Sequence, residues 1–385
     1  MGAGHGFEGF CEDIFSSMGR ADQRRAGEIY LHGLLGGAGR KSVRGLAATT
    51  AGCSEQSLQQ FISRSPWDPV PVRRRLTRHL VGSMNPDAYV IDEVAFPKCG
   101  RQSVAVERQY VRSQGRVRNC QLAVAAMVTD SRFSVPVGWR LVVPDSWGTD
   151  RHRRDRTRLP ADELPRPHWQ YQVAVLDDLT EQPGALTAPV LADGSNRLGA
   201  EAFIDAIEQR CPRYLVQVSP RLQVSYRASP ARPTAGGPPW STPGGPATAR
   251  RGALDQLVER IAEPVRDTVE WRDDGVVLRS QFFWLPVRAP AQSPPGSRVL
   301  LCEWPAGRPQ PRHFWITNIV DRPMADLVAL AKAGPVARRQ LEQLADGFGL
   351  RDYAGRTFTG WHHHVTLVAA AYAYHVLASS GRFAL

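Results

Sequence analysis

Two aspartates close short apolar runs, Ala88-Tyr89-Val90-Ile91-Asp92 and Pro189-Val190-Leu191-Ala192-Asp193. Runs of this kind read as buried strands. If the two strands lie side by side, the carboxylates of Asp92 and Asp193 can share divalent cations. Hard cations such as magnesium take oxygen ligands, and a pair of them across a phosphodiester activates the attacking oxygen and stabilises the leaving one. That chemistry calls for a third acid, usually from a helix packed on the sheet. A strand-end aspartate also commonly caps a following turn, so spacing alone leaves both readings open. The adjacent histidines His362, His363 and His364 invite a metal reading too. Consecutive helical residues point about 100 degrees apart, however, so the three cannot all face one ion. The six cysteines are scattered without a C-x-x-C pair or zinc-type spacing, which makes them reduced structural thiols.

The elements that would position these groups follow from periodicity. Residues 20–82 read as helical. Within them Ser42–Ala48 and Glu55–Ser63 form two short helices about the turn Gly52-Cys53-Ser54, with Ser54 as N-cap of the second. This pattern fits a helix-turn-helix DNA reader and an ordinary helical hairpin equally. The basic run Arg73-Arg74-Arg75, with Arg78 and His79, is either a solvated helix face or a phosphate contact. From residue 87 the pattern changes to strands at Ala88–Asp92, Ser103–Tyr110 and Cys120–Thr129, turned by Gly100 and Gly115. Gln172–Leu179 fits a helix or a strand, Leu198–Arg210 an amphipathic helix, and Tyr214–Val218 a fifth strand. The stretch Pro220–Arg251, crowded with Pro, Gly, Ser and Thr, reads as a loosely held loop. Strands follow at Val276–Val287, Val299–Trp304 and His313–Ile319. The tail is helical at Met324–Lys332, at Pro335–Phe348 with Pro335 in the first turn, and at His364–Leu377.

The 385 residues are enough for two or three domains, and 42% hydrophobic content supports a buried core. No apolar run approaches the roughly 18 to 20 residues that span a bilayer, and Met1–Gly9 lacks the zones of a secretory signal. The expected location is the cytoplasm. A formal net charge of +11 favours polyanions and salt-sensitive DNA binding. The basic residues are almost all arginine, which a GC-rich genome would also produce.

A series of short blocks resembles the landmarks of the DDE-class insertion-sequence transposases, in that family's order. They are Ser65-Pro66-Trp67-Asp68, Ile91-Asp92-Glu93 through Phe96-Pro97-Lys98, Arg108-Gln109-Tyr110, Asn119-Cys120-Gln121 and Pro136–Leu141. Pro144-Asp145-Ser146-Trp147, Leu191-Ala192-Asp193, Gly349-Leu350 with Tyr353 and Gly355-Arg356, and Gly360-Trp361-His362-His363-His364 continue the series. The resemblance runs from about residue 27 to 378. It implies an α/β fold with an RNase H-like mixed sheet core, an inserted β-rich segment and a helical N-terminal region. The implied divisions are 1–82, helical and suited to DNA; 83–219, the first part of the core; 220–320, the insertion; and 321–385, helices that complete the core. It also implies metal-dependent cleavage and joining of double-stranded DNA at transposon ends, with Mg2+ or Mn2+ as cofactor and a homodimer as the assembly. Asp92 becomes the first catalytic acid and Asp193 the second. Lys98, Arg73, Arg74, Arg75 and Arg338 are the candidate DNA contacts, and the three histidines take a structural or DNA-contacting role.

The third acid departs from the pattern. Counting back from Gly349-Leu350, the family's helix carries an Arg, a Glu four residues later and a Lys seven after that; here Gly334, Arg338 and Ala345 stand in those places. A guanidinium cannot coordinate a cation, and its fixed charge opposes metal entry. Glu342, one turn beyond Arg338 and on about the same face, offers a relocated acid and metal ligand. The plainer reading makes Glu342 a surface residue paired with Arg338 or Arg339. Three functions stay open: a recombinase using Asp92, Asp193 and Glu342, a non-cutting DNA-binding regulator, and a recruited host protein of transposase descent.

Overall fold

The computed structural model describes residues 6–36, 39–181, 186–195, 199–227, 249–260, 266–287 and 298–381. Two compact units emerge: Met1–Pro86, Asp92–Ala185 and Ala337–Leu385 make the first, and Asp87–Ile91 with Leu186–Val336 the second.

The first unit opens with helices α1 (Phe7–Phe15), α2 (Ala21–Leu35), α3 (Val43–Thr49), α4 (Glu55–Ser63) and α5 (Pro69–Met84). Local chemistry sets their ends. Ser54 and Ser57 form a reciprocal capping box at α4, each side chain accepting from the other's backbone N–H. Asp68 caps α5 ahead of Pro69, whose missing N–H costs nothing in a first turn. Strand β1 (Ala88–Pro97) leads into β2 (Glu107–Val111), β3 (Arg116–Thr129) and β4 (Ser134–Leu141), followed by α6 (Arg151–Thr157) and α7 (His168–Thr180). The long β3 pairs antiparallel with β2 through residues 116–120 and with β4 through 123–129. Its apolar run from Cys120 to Thr129 is buried throughout, as a strand covered on both faces must be. Alternation does not reveal β4, because Pro136 and Gly138 interrupt it. The register shift opposite Ala126 and Met127 is the bulge that accommodates them. The ambiguous stretch around Gln172–Leu179 is helical, within α7.

In the second unit, β1 pairs in parallel with β5 (Val190–Asp193), setting Tyr89, Val90 and Ile91 against Val190, Leu191 and Ala192. After α8 (Ala200–Glu208), β6 (Tyr214–Val218) lies parallel to β5. A small two-stranded antiparallel sheet of β7 (Gln223–Arg227) and β8 (Ala249–Ala253) precedes α9 (Leu254–Arg260). Residues 228–248 of the Pro/Gly-rich stretch lie outside the described residues. Strands β9 (Asp267–Asp273), β10 (Val276–Val287), β11 (Arg298–Trp304) and β12 (His313–Thr317) form an antiparallel run, and β12 docks antiparallel on β6. The result is a mixed sheet, parallel at β1, β5 and β6, of the RNase H-like α/β class.

Two helices complete the chain, α10 (Met324–Gly347) and α11 (Phe358–Ser379). Pro335 does not begin a helix as its first-turn preference suggests; it sits inside a continuous α10. Helix α11, apolar all round, is almost wholly buried and packs in the first unit against α2, α4, α5 and β4. Trp361 of α11 meets Trp139 of β4 and Phe96 of β1 edge to face, at 6.3 and 5.4 Å between ring centres. Among the described residues, no helix is long and apolar enough to cross a membrane.

Candidate active site

Asp92 lies in the first unit and Asp193 in the second. Strand geometry fixes Asp92 in the middle of β1, where only 7% of it is exposed. Its Oδ1 accepts from the Glu93 backbone N–H at 2.7 Å, and its Oδ2 accepts from Arg338 Nε at 2.6 Å. Arg338 reaches it from α10. Burial opposes the guanidinium charge, but the adjacent Asp92 charge and hydrogen bond outweigh it and raise the Arg338 pKa, with Glu93 and Glu342 adding to the effect. Asp193 closes β5 and is equally buried; its Oδ1 accepts from the Ser195 backbone N–H at 2.9 Å, a turn-capping contact.

Glu342 adds to the negative field at Arg338, but its hydrogen-bonded ion pair is made elsewhere. Its carboxylate accepts instead from Arg351, which also donates through Nε to the Ala95 carbonyl at 3.1 Å and through a terminal nitrogen to Asp346 at 3.2 Å. Sequence spacing could not reveal this pairing, because Arg351 lies beyond the end of α10 and is turned back by Gly349, whose φ is +70°. His168 Nδ1 stands 3.1 Å from Glu93 Oε2, a second contact that sequence reasoning missed.

Asp92 and Glu342 are each held by a guanidinium, and that fixed charge opposes the approach of a cation to either carboxylate. Among the described residues, no three His, Cys, Asp or Glu side chains gather in a group that could hold a metal ion.

The expected DNA contacts are placed differently from one another. Arg73 is buried: its Nε donates to Thr366 Oγ1 at 2.7 Å, and its terminal nitrogens donate to the carbonyls of Trp139 and His362 and to His362 Nδ1. Burial pushes its pKa down to about 9, which still leaves it charged at neutral pH. Arg74 pairs with Glu181, and Arg75 with Asp13 at 3.1 Å. Lys98 donates to the Tyr353 carbonyl at 2.7 Å, and burial lowers its pKa to about 8.

The three histidines are buried in the first unit and face three directions. His362 meets Arg73. The ring nitrogens of His363 lie 2.9 and 2.8 Å from the carbonyl oxygens of Ile62 and Trp67, and its ring stacks on Trp67 at 3.8 Å. His364 Nε2 donates to the Gly349 carbonyl, so its Nδ1 must accept from the Tyr30 hydroxyl at 2.9 Å. These contacts tie α11 to α2, α5 and the chain around α4.

Comparison with known proteins bears on this geometry. A family model described as DDE superfamily endonuclease matches residues 13–276, a span that includes Asp92 and Asp193 and ends ahead of α10. The probable transposase for insertion sequence element IS701 of Microchaete diplosiphon is 25% identical over 209 residues. That match covers 51% of this chain and 52% of the relative, so it spans about half of each.

Proposed function

We propose that this chain, which belongs to the DDE superfamily of endonucleases, is a transposase-like DNA-binding protein that no longer cuts DNA. One observation carries the reading: Arg338 Nε lies 2.6 Å from Asp92 Oδ2. Metal-assisted strand cleavage depends on carboxylates that surrender their lone pairs to cations. Arg338, its pKa raised by Asp92, keeps its proton at neutral pH, so the charge that blocks the carboxylate persists. The partner is double-stranded DNA, with insertion-sequence ends as the expected target and a homodimer as the expected assembly. Binding would act through phosphates and the net charge of +11, with no need of Mg2+ or Mn2+.

The test is a titration of fluorescent duplex DNA at several salt concentrations, run beside a nicking assay with magnesium and manganese. Metal-independent, steeply salt-sensitive binding without nicking is the expected result. Robust metal-dependent nicking that disappears with Glu342→Ala would put the recombinase in place of this reading. Absence of binding even at low ionic strength would remove both.

A further inference from the structure

We infer that the β2–β3 hairpin is a contact for unpaired DNA bases, with Tyr110 as the stacking platform. This rests on the DNA-binding reading above and adds to it the part of DNA engaged and the residue that engages it. The hairpin stands at the edge of its sheet, β2 pairing only with β3 in the strand order, and turns through Arg112–Gln114 and Gly115, whose φ of 62° suits glycine.

In a strand, alternate residues share a face, and directly opposite residues share it across the ladder. Tyr110 is set against Val117, and Arg108 against Asn119, so these four lie on one face. A tyrosine ring and a valine would normally cover each other or be covered, yet Tyr110 is 56% exposed and Val117 50%. Beyond Glu107, the charge the two strands themselves carry is of one sign. Residues 108–129 contain the arginines Arg108, Arg112, Arg116 and Arg118 and no Asp or Glu. Among the described residues, the side chains of Arg108, Arg116 and Arg118 make no hydrogen bond or ion pair. The acid at the hairpin's foot, Glu107, is occupied with Ser146 Oγ at 2.8 Å.

Arg108 shares the face of Tyr110, while Arg116 and Arg118, opposite Val111 and Gln109, lie on the other face of the same two strands. An exposed aromatic with an unpaired arginine beside it, on a ladder whose reverse side is also basic, is complementary to a single strand: bases offer stacking faces of any sequence, and phosphates offer the countercharge. Arg108 and Tyr110 are two residues apart, about 7 Å along the strand, so one nucleotide can meet both. A fully paired duplex buries its base faces and would find only the arginines. The face therefore fits DNA with frayed or overhanging ends better than an intact helix.

The experiment compares a blunt duplex with the same duplex carrying a short overhang that contains 2-aminopurine. Wild type should bind the overhang more tightly and quench the probe. Tyr110→Ser should weaken overhang binding about tenfold and lose the quenching, while blunt-duplex affinity stays as it was. Tyr110→Trp should restore both, and Arg108→Gln with Arg116→Gln should weaken both DNAs and flatten the salt dependence. All substitutions are on exposed side chains, so thermal melting should match wild type. If wild type binds duplex but Tyr110→Ser binds and quenches the overhang as wild type does, the hairpin assignment fails alone. If the variants alter sedimentation and leave DNA binding intact, the face joins protein to protein and the assignment also fails. If wild type binds neither DNA, the underlying DNA-binding reading fails.

Discussion

Arg338 and Asp92 are joined across 246 residues of chain by a 2.6 Å hydrogen-bonded ion pair, so the acid that the family resemblance makes a metal ligand is the partner of a fixed cation. Replacing the cation should release the ligand. Arg338→Glu is expected to raise manganese affinity roughly tenfold or more, since it removes a repulsive charge and adds a carboxylate beside Asp92. Arg338→Ala should gain less affinity. It should also cost about 1–3 kcal/mol of stability, because Asp92 is left buried without its partner. Isothermal calorimetry with manganese and urea denaturation read the two effects, and unchanged manganese affinity in Arg338→Glu would refute the account.

Glu342 and Arg351 make a contrasting pair. Both are partly exposed, and Arg351 also holds Asp346 and the Ala95 carbonyl. Glu342→Ala should therefore cost under about 1 kcal/mol and leave DNA binding unchanged, as is usual for a surface ion pair. Arg351→Ala should cost more, because it also removes a tie between the end of α10 and β1. Denaturation midpoints of the two variants give the order directly.

Arg73 shows how far the sequence could be read and where it stops. The triplet Arg73-Arg74-Arg75 reads as one basic patch, but helical geometry turns successive side chains by about 100 degrees and sends the first inward. What holds it there is Thr366, His362 and the Trp139 carbonyl, residues 66 to 293 positions away in the chain. No local pattern encodes such partners. By contrast, the strand ending at Asp193 and the cap at Ser54 are legible because burial and capping leave short-range signatures, whereas the first strand, expected to end on Asp92, continues through Pro97 because Val94, Ala95 and Phe96 are buried as well. The same distinction explains why Arg338 is conspicuous as a departure from the family's motif, while its contact with Asp92 and Glu342's with Arg351 need the fold.

The interior position of Arg73 makes a separable prediction. Arg73→Ala should lose about 2–4 kcal/mol of stability through lost hydrogen bonds and a cavity beneath α11. It should leave the salt dependence of DNA binding as in wild type. A reduced salt slope with unchanged stability would instead assign Arg73 to phosphate contact.

In the second unit, Lys332 Nζ lies 2.7 Å from Glu303 Oε2 and 4.3 Å from the Trp271 ring centre, with Phe282 and Trp315 beyond. Glu303 is buried, so Lys332→Ala strands a carboxylate and should cost about 3 kcal/mol. Lys332→Met with Glu303→Leu should recover most of it, because the aromatic surroundings accept an apolar pair. A double-mutant cycle by urea denaturation measures the coupling, and additive single effects would show that the pair carries no energy of its own.

The buried histidines of α11 should make the protein acid-sensitive above the range in which carboxylates titrate. Burial holds His362 well below its ordinary pKa, with the Arg73 charge adding to this, and lowers His364 to about 4; it also lowers His363 to about 4, against the carbonyls of Trp67 and Ile62, which favour the protonated ring. In the unfolded chain each returns to about 6.5. The sign follows from proton counting. Above 6.5 both states are neutral at these sites and stability is level; as pH falls from 6.5 toward 4, the unfolded chain takes up protons that the folded one refuses, and stability drops. Each histidine contributes about 1.4 kcal/mol per pH unit in that window, and the loss levels off once the folded form also protonates. Urea midpoints taken between pH 7.5 and 5 should therefore fall steeply below 6.5. His364→Gln can keep one donor and one acceptor toward Gly349 and Tyr30 but cannot titrate, so it should start less stable at pH 7.5 and fall with a slope shallower by roughly a third. A wild-type midpoint that stays level down to pH 5, or a His364→Gln slope as steep as wild type, would mean that these rings are not buried neutral in the folded protein.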